Sequence, residues 1–157
     1  MPEGVTGRKY DYTCWIDGSL RITCDIKPMV YSLIDDGRSI AMHRHYRRDC
    51  LFDDMEACYI YGRVKRKAIM PQRVFYESEG MPKHWGLLET PFIIRKWGDE
   101  EVMRVMAEWW GQIERYSHRD QFSLTYVLWK NGKTIDWVFQ LGGNVWKNPY
   151  FLYYYHN

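Results

Sequence analysis

Apolar residues recur at i, i+3, i+4 and i+7 before residue 114, the spacing of an amphipathic helix with one face in a core. The residues with this spacing are Val102, Val105, Met106, Trp109, Trp110 and Ile113. Leu124, Val127 and Leu128 predict a second helix. Between the two, Ser117 and Asp120 fit the [ST]-x-x-[DE] capping box, which places Asp120 near the start of the second helix.

The rest of the chain alternates short strand patterns with helix patterns, which predicts an α/β fold. Strands are predicted at 12–16, 39–43 and 92–95, and helices begin at Asp25 and Asp49. Residues 71–86 predict a long loop, because Gly80 and Pro82 interrupt the pattern.

The helix after Asp49 has a predicted apolar face and a predicted solvated face. The apolar face comprises Leu51, Met55, Cys58 and Tyr59, and the solvated face comprises Asp53, Asp54 and Glu56. Acidic residues in a first helical turn favour the helix dipole, so a structural role is expected for them.

Asp17-Gly18-Ser19 follows the first predicted strand directly. Ligands of open α/β sheets bind beyond the carboxyl ends of strands, and a carboxylate there suits Mg²⁺ or Mn²⁺. The alternative is that Asp17-Gly18 only closes a hairpin.

A basic segment with His45 and Arg48 follows the second predicted strand. It suits binding of a phosphate or carboxylate by arginine, a His-x-His metal clip or a solvated loop. Without a nearby carboxylate, a closed zinc site is the least favoured of the three.

His118-Arg119-Asp120 resembles the catalytic loop of protein kinases, but that motif needs an asparagine where this chain has Thr125. The kinase class is therefore excluded. Asp120 is either a helix cap or a catalytic carboxylate at a helix start.

Composition predicts one soluble domain: 157 residues are 46% hydrophobic and 27% charged, with a net charge of +2. So small a charge gives no support for a nucleic-acid partner, and we expect no membrane span or signal peptide. The four cysteines lack zinc-finger spacing and are expected to be reduced and mostly buried in a cytoplasmic protein. An aromatic content of 17% also suits stacking on sugars or protein partners.

Four segments together resemble a glycosyltransferase-like family, formerly a domain of unknown function, that includes bacterial capsule-type and plant mucilage-related proteins. The segments are YDYTCWIDGSL, the His45-x-x-Arg48-x-Cys50 stretch, EGMPKHWGLLET with PFIIR, and EWWGQIERYSHRDQFSLTYVLWK. The resemblance runs from about Tyr10 to the C-terminus. It implies a single glycosyltransferase-like domain over 1–157, with a GT-A-like mixed sheet flanked by helices.

The resemblance implies transfer of a sugar from a nucleotide-sugar donor to a carbohydrate or lipid-linked acceptor. Asp120 is the expected catalytic carboxylate and Glu89 a reserve candidate. Asp17, Ser19 and His156 are the expected ligands of Mn²⁺ or Mg²⁺, although the second acid of the family's metal motif is replaced here. The expected substrate-binding residues are His45, Arg48, Trp85, His118, Arg119 and Gln121.

Relatives in this family carry a preceding β/α half that holds the nucleotide base, whereas this chain begins almost at the Asp17 strand. We therefore expect a fold truncated at its N-terminus: a fragment, a split enzyme whose partner chain supplies that half, or an inactive copy. The alternative function is a non-catalytic carbohydrate-binding or assembly protein. A hydrolase has no support from a GxSxG or HExxH motif.

Overall fold

A four-stranded mixed sheet lies at the centre of the protein, as seen in a computed structural model that describes residues 10–154. Its strands are β1 (Tyr12–Ile16), β3 (Ile40–Arg44), β4 (Leu88–Lys96) and β5 (Phe139–Leu141). The strand order is β1-β4-β3-β5; the β1–β4 and β4–β3 pairs are antiparallel and β3–β5 is parallel. A separate antiparallel ribbon joins β2 (Leu20–Ile22) to β6 (Phe151–Tyr153).

Five α-helices accompany the strands within residues 10–154. They are α1 (Lys27–Asp36), α2 (Leu51–Ile60), α3 (Arg66–Ser78), α4 (Glu100–Arg115) and α5 (Gln121–Lys130). A short 3₁₀ helix, Ile135–Trp137, precedes β5. The predicted mixed α/β architecture is thus confirmed.

Each face of the sheet is covered by its own hydrophobic cluster, because successive strand residues point to opposite faces. Met42 and Ile93 belong to the cluster that includes residues of α2 to α5. Ala41 and Ile94 belong to the second cluster, with residues of α1 and the β2–β6 ribbon.

Helix α5 has no solvated face over most of its length, since the residues from Gln121 to Leu128 are all buried. Helix α4 is amphipathic as predicted, with Val102, Val105 and Trp109 buried. The prediction was wrong for Trp110, which was placed on the apolar face but is 59% exposed.

The predicted loop at 71–86 is wrong for its first half, since α3 covers residues 66 to 78 with Pro71 inside it, whereas residues 79–86 lie outside any helix or strand. Ile69, Gln72 and Tyr76 form its buried face at helical spacing. Gln72 concealed this periodicity in the sequence, because a buried amide reads as solvent-facing until its partner, here the Tyr76 hydroxyl at 3.0 Å, is known.

The predicted capping box is also wrong, although Asp120 does cap a helix. Helix α5 begins at Gln121, and the Asp120 carboxylate accepts a hydrogen bond from the Gln121 backbone N–H at 2.8 Å. The Ser117 hydroxyl instead accepts one from the Arg119 backbone N–H at 3.2 Å, within a turn before the helix.

All four cysteines are free; Cys50 and Cys58 are buried, whereas Cys14 and Cys24 are exposed, against the expectation of mostly buried thiols. No helix among the described residues is long and apolar enough to cross a lipid bilayer.

Candidate functional site

An irregularity in the β3–β4 pairing lies beside the candidate site. Met42 pairs with Ile93, but the next residue, His43, pairs with Glu89. Residues 90–92 of β4 therefore have no partner on β3. Such bulges redirect side chains next to functional sites. Glu89 and Thr90 lie here inside β4, which therefore begins earlier than the predicted strand at 92–95.

His45 faces two buried carboxylates. Its Nδ1 accepts the backbone N–H groups of Arg47 and Arg48, at 3.2 and 2.9 Å, so the ring proton lies on Nε2. Nε2 is 3.7 Å from both Asp54 Oδ1 and Glu89 Oε1. Burial lowers the pKa of His45, with Asp54 opposing that shift, which favours a neutral ring.

Asp54 is a buried carboxylate with a guanidinium partner. Its Oδ1 accepts a hydrogen bond from Arg48 Nη1 at 3.0 Å, and its exposure is only 3%. The prediction that Asp54 lies on a solvated face is therefore wrong. Because Asp54 lies three residues after Leu51 and four before Cys58, its position on the buried stripe of α2 could have been read from helical spacing.

Glu89 is a buried carboxyl group whose pKa is raised to near neutral. Burial raises its pKa to about 7, the Trp146 indole opposes this as a hydrogen-bond donor, and the nearby Asp54 charge adds to the rise. Its Oε1 is buried without a hydrogen-bond donor among the described residues. A carboxyl group of this kind can gain or lose a proton near neutral pH.

Asp120 is held in place at the start of α5. Burial raises its pKa, while hydrogen bonds from the Thr90 side chain and the Gln121 backbone oppose the rise. The Asp17 charge raises it further, so these two carboxylates lie close enough to repel. The Asp120 carbonyl also accepts the Trp109 indole N–H at 2.8 Å, which ties this segment to α4.

Arg119 lies near both acidic groups, since its charge lowers the pKa of Glu89 and of Asp120. Its guanidinium lies 5.5 Å from the centre of the Phe122 ring. The Nε atom is buried without an acceptor among residues 10–154. This arginine therefore retains hydrogen-bonding capacity for an anionic ligand.

Asp17 joins the site from the end of β1, where its backbone N–H donates to the Pro91 carbonyl of β4 at 2.8 Å. Its Oδ1 accepts hydrogen bonds from the Ser19 backbone N–H, at 2.8 Å, and the Ser19 hydroxyl, at 2.5 Å. The second carboxylate oxygen of Asp17 and the adjacent Asp120 are hard oxygen donors, which fit Mg²⁺ or Mn²⁺. A metal here would need further oxygens from a ligand or water.

Six of the predicted site residues thus lie in one cluster. We name these six residues, together with Asp54 and Thr90, the carboxylate centre. The six are Asp17, His45, Arg48, Glu89, Arg119 and Asp120. Gln121 is buried next to it, with an Nε2 that lacks an acceptor in the described chain.

Other predicted residues are not brought into the carboxylate centre. The Trp85 indole N–H donates to the Lys133 carbonyl at 2.9 Å, and His118 is exposed. Their substrate-binding roles stay predictions, as does the metal-binding role of His156, which lies outside the described residues. The sequence reasoning did not select Thr90 or Trp146. Thr90, next to the candidate Glu89, could have been considered, whereas nothing in the sequence pairs Trp146 with Glu89.

A cleft of about 380 Å³ is lined in part by neighbours of residues in the carboxylate centre. Its wall includes His43, the strand partner of Glu89, and Lys147, which follows Trp146. Gly142, Gly143, Asn148 and Tyr150 also line the cleft. Burial lowers the pKa of His43 to about 4, so its ring is neutral and Lys147 is the cleft's cation.

Comparison with known proteins identifies the family. A relative from Arabidopsis thaliana, the probable hexosyltransferase MUCI70, is 24% identical over 143 residues, covering 81% of this chain. The chain spans only 23% of that relative's length. No solved structure matches the fold significantly. Residues 8–156 match the TOD1/MUCI70 glycosyltransferase-like domain, and the chain belongs to that family.

Proposed function

We propose that this chain is a glycosyltransferase that moves a hexosyl group from a nucleotide-sugar donor to a hydroxyl of a carbohydrate or lipid-linked acceptor. The observation that carries the proposal is Glu89: a buried carboxyl group with a pKa of about 7, in a family of glycosyltransferase-like domains. A GT-A-like fold is part of the same proposal, supported by Asp17 at the carboxyl end of β1.

Glu89 is the proposed general base, with Asp120 as the second catalytic carboxylate. In a direct displacement, the acceptor hydroxyl gives its proton to Glu89 while its oxygen bonds to the anomeric carbon. The bond from that carbon to the diphosphate breaks, and the nucleoside diphosphate leaves with the bonding electrons. The neutral His45, with its proton on Nε2, lies 3.7 Å from Glu89 Oε1 and would move closer to donate that proton in a hydrogen bond to the ionised carboxylate.

Arg119 and Lys147 are the proposed contacts of the donor diphosphate, which would extend from the carboxylate centre into the cleft. Arg119 has an unused buried Nε, and Lys147 lies in the cleft wall. Mn²⁺ or Mg²⁺ held by Asp17 would offset charge on the leaving group. The Ser19 hydroxyl, which donates to Asp17, would orient that carboxylate rather than serve as a strong ligand.

Donor binding is the first test. Calorimetry of UDP and GDP, with and without Mn²⁺, is expected to show metal-dependent binding that Asp17→Asn weakens by at least about tenfold, since one charged ligand is lost. Asp35→Asn, an exposed carboxylate on α1, is the matched control. Absence of binding to the folded chain would contradict an autonomous donor site and favour a partner chain that supplies the nucleotide pocket.

Turnover is the second test. With a donor found by that screen, Glu89→Gln is expected to lower kcat by about 10²–10⁴-fold, the usual contribution of a general base. In the unmodified chain, kcat should rise with pH through about 7 as Glu89 ionises. Asp120→Asn should also abolish transfer with the fold intact, and Glu114→Gln, an exposed α4 variant, should retain activity. Near-normal turnover in Glu89→Gln would remove Glu89 from the chemistry.

Exposed indoles support a second candidate function, a non-catalytic carbohydrate-binding protein. Trp15, Trp97 and Trp110 are 51%, 36% and 59% exposed, and such rings stack on sugar faces. Under this alternative, Glu89→Gln would leave glycan binding unchanged whereas Trp15→Ala or Trp110→Ala would weaken it. A glycan-array measurement on the three variants separates the two functions.

A further inference from the structure

A second cluster of potential metal ligands lies outside the carboxylate centre, where the start of α2 meets the segment before β4. One ligand atom each from Cys50, Asp53 and His84 can be chosen so that all three lie within 4.8 Å of one another. Within residues 10–154, this is the one group of three or more histidine, cysteine and acidic side chains that meets that distance.

Cys50 is the most informative member of the cluster. It is fully buried, with 0% exposure, and no hydrogen bond to its thiol is formed within the described chain. The other buried cysteine, Cys58, differs because its thiol lies 4.0 Å from Asp54 Oδ2 as a weak donor. The Cys50 side chain packs in the hydrophobic cluster of α2 to α5, and its sulfur also lies within 4.8 Å of a ligand atom of Asp53 and of His84.

His84 is held for ligation by a carboxylate behind it. Its Nδ1 lies 2.8 Å from Asp49 Oδ1, which leaves Nε2 available on the other side of the ring. Metal-binding histidines almost always have such a carboxylate or carbonyl partner, which fixes the tautomer and ring orientation. The Asp49 carbonyl also accepts the Gly86 N–H at 2.8 Å, so two hydrogen bonds hold this segment against the α2 start.

The donor set indicates the class of metal. A thiolate, an imidazole and a carboxylate suit Zn²⁺ and its neighbours Co²⁺ and Ni²⁺, whereas Mg²⁺ and Mn²⁺ prefer oxygens. Ligand atoms around tetrahedral zinc are about 3.5 Å apart, from bond lengths of about 2.0–2.3 Å. Asp53 and His84 are exposed, so they can close the remaining distance and leave a route for the ion.

We propose that Cys50, Asp53 and His84 bind a zinc-class divalent ion, with Asp49 as the carboxylate that orients His84 and water as the fourth ligand. The ion links the segment that leads to Glu89 with the helix that carries Asp54. Its role is to hold together two of the elements that build the carboxylate centre. The site is separate from the oxygen-ligand metal proposed at Asp17.

Cobalt titration of the whole chain under reducing conditions tests the proposal. We expect one equivalent of Co²⁺ to bind with a thiolate-to-cobalt charge-transfer band in the near ultraviolet, and Zn²⁺ to displace it. Cys50→Ser should lose that band, and His84→Gln or Asp53→Asn should weaken binding by at least about 100-fold. Asp49→Asn should weaken it by about 10–100-fold, as loss of a carboxylate partner does.

Cys24→Ser is the matched control, because Cys24 is an exposed thiol outside the cluster, and it should bind Co²⁺ like the unmodified chain. If Cys50→Ser fails to fold, the exposed-residue variants His84→Gln and Asp53→Asn decide the question. Absence of a thiolate band, or unchanged affinity in both of those variants, would overturn the proposal. Donor binding at Asp17 is measured separately, so neither result determines the other.

Discussion

Two carboxylates of the site, Glu89 and Asp120, differ in burial and in hydrogen bonding, and this difference suits them to different roles. Glu89 is buried and Asp120 is half-buried, and burial raises the pKa of both carboxyl groups. Asp120 receives hydrogen bonds from the Thr90 side chain and the Gln121 backbone, which stabilise its charge. Glu89 has a buried oxygen without a donor within residues 10–154. Glu89 is therefore the better proton acceptor near pH 7 and Asp120 the better fixed charge.

The raised pKa of Glu89 also predicts how stability depends on pH. Its folded pKa of about 7 exceeds the ordinary 4.5, so its contribution is fully present below about pH 4.5 and is lost as pH rises through 7. Glu89→Gln removes that loss. Relative to the unmodified chain, the variant should gain up to about 3 kcal/mol in free energy of unfolding between pH 5 and pH 8.

Urea denaturation of both proteins at pH 5 and pH 8 measures this difference. Glu114→Gln is the control, because its carboxylate is exposed on α4, and its stability should follow the unmodified chain at both values. A pH-independent difference between Glu89→Gln and the unmodified chain would show that Glu89 is not the titrating group.

Part of this residue-level chemistry could be predicted from the sequence. Asp17, Glu89 and Asp120 were selectable because each lies next to a strand or helix boundary. Asp54 was predicted to face solvent because charged residues of a helix usually lie on its exposed side. It can be buried because Arg48, six residues earlier, donates a hydrogen bond to its carboxylate and compensates its charge.

Elements were predicted well where one periodicity dominated and poorly where a polar residue interrupted it. Helix α4 has an uninterrupted apolar stripe and was predicted. Helix α3 was not, because Pro71 and Gln72 conceal the spacing of Ile69 and Tyr76. The early start of β4 was missed because Glu89 and Thr90 are polar residues buried in a strand.

The segment between α3 and β4 depends on a close approach at Gly86. Gly86 has φ +97°, and a Cβ built there would lie 2.6–2.8 Å from side-chain carbons of Ile135. Gly86→Ala should therefore lower the free energy of unfolding by about 2–4 kcal/mol, combining backbone strain with overpacking. Thermal denaturation checks this value.

Gly80→Ala is the matched control for that change. Gly80 has a similar φ of +83° in the same segment, but a Cβ there would have no atom within 4 Å. Gly80→Ala should lower the free energy of unfolding by about 1–2 kcal/mol, from backbone strain alone. Ile135→Ala should recover part of the Gly86→Ala loss in the double variant, and additive losses would contradict the steric explanation.

The whole molecule determines which distant residues meet, and this was the least predictable level. The carboxylate centre draws on the ends of β1 and β3, the starts of β4 and α5, and α2. The sheet order β1-β4-β3-β5 brings them together, with β4 in contact with both β1 and β3. Local periodicity carries no information on strand order, so the sequence could nominate these residues without showing their proximity.

This organisation predicts unequal local stability. Helix α5 is buried from Gln121 to Leu128 and contacts α2, α4 and β4, so its amides should exchange only on global unfolding. The β2–β6 ribbon has three residues per strand, and Arg21, Ile22 and Leu152 are exposed. Its amides should exchange through local opening, at least about tenfold faster than those of α5.

The ribbon's opening matters because it is bonded to the Asp17 turn. Tyr154, which follows β6, donates its backbone N–H to the Ser19 carbonyl at 2.8 Å, and Ser19 in turn orients Asp17. A ligand that binds only when Asp17 is in this position should therefore slow exchange in residues 17–22 by about the same factor as in α5, because it binds neither the locally opened nor the unfolded chain. Hydrogen–deuterium exchange with and without UDP and Mn²⁺ tests this, with Asp17→Asn as the control. Exchange in residues 17–22 that the ligand leaves unchanged while α5 slows, or protection that persists in Asp17→Asn, would show that the ribbon is not coupled to the donor site in this way.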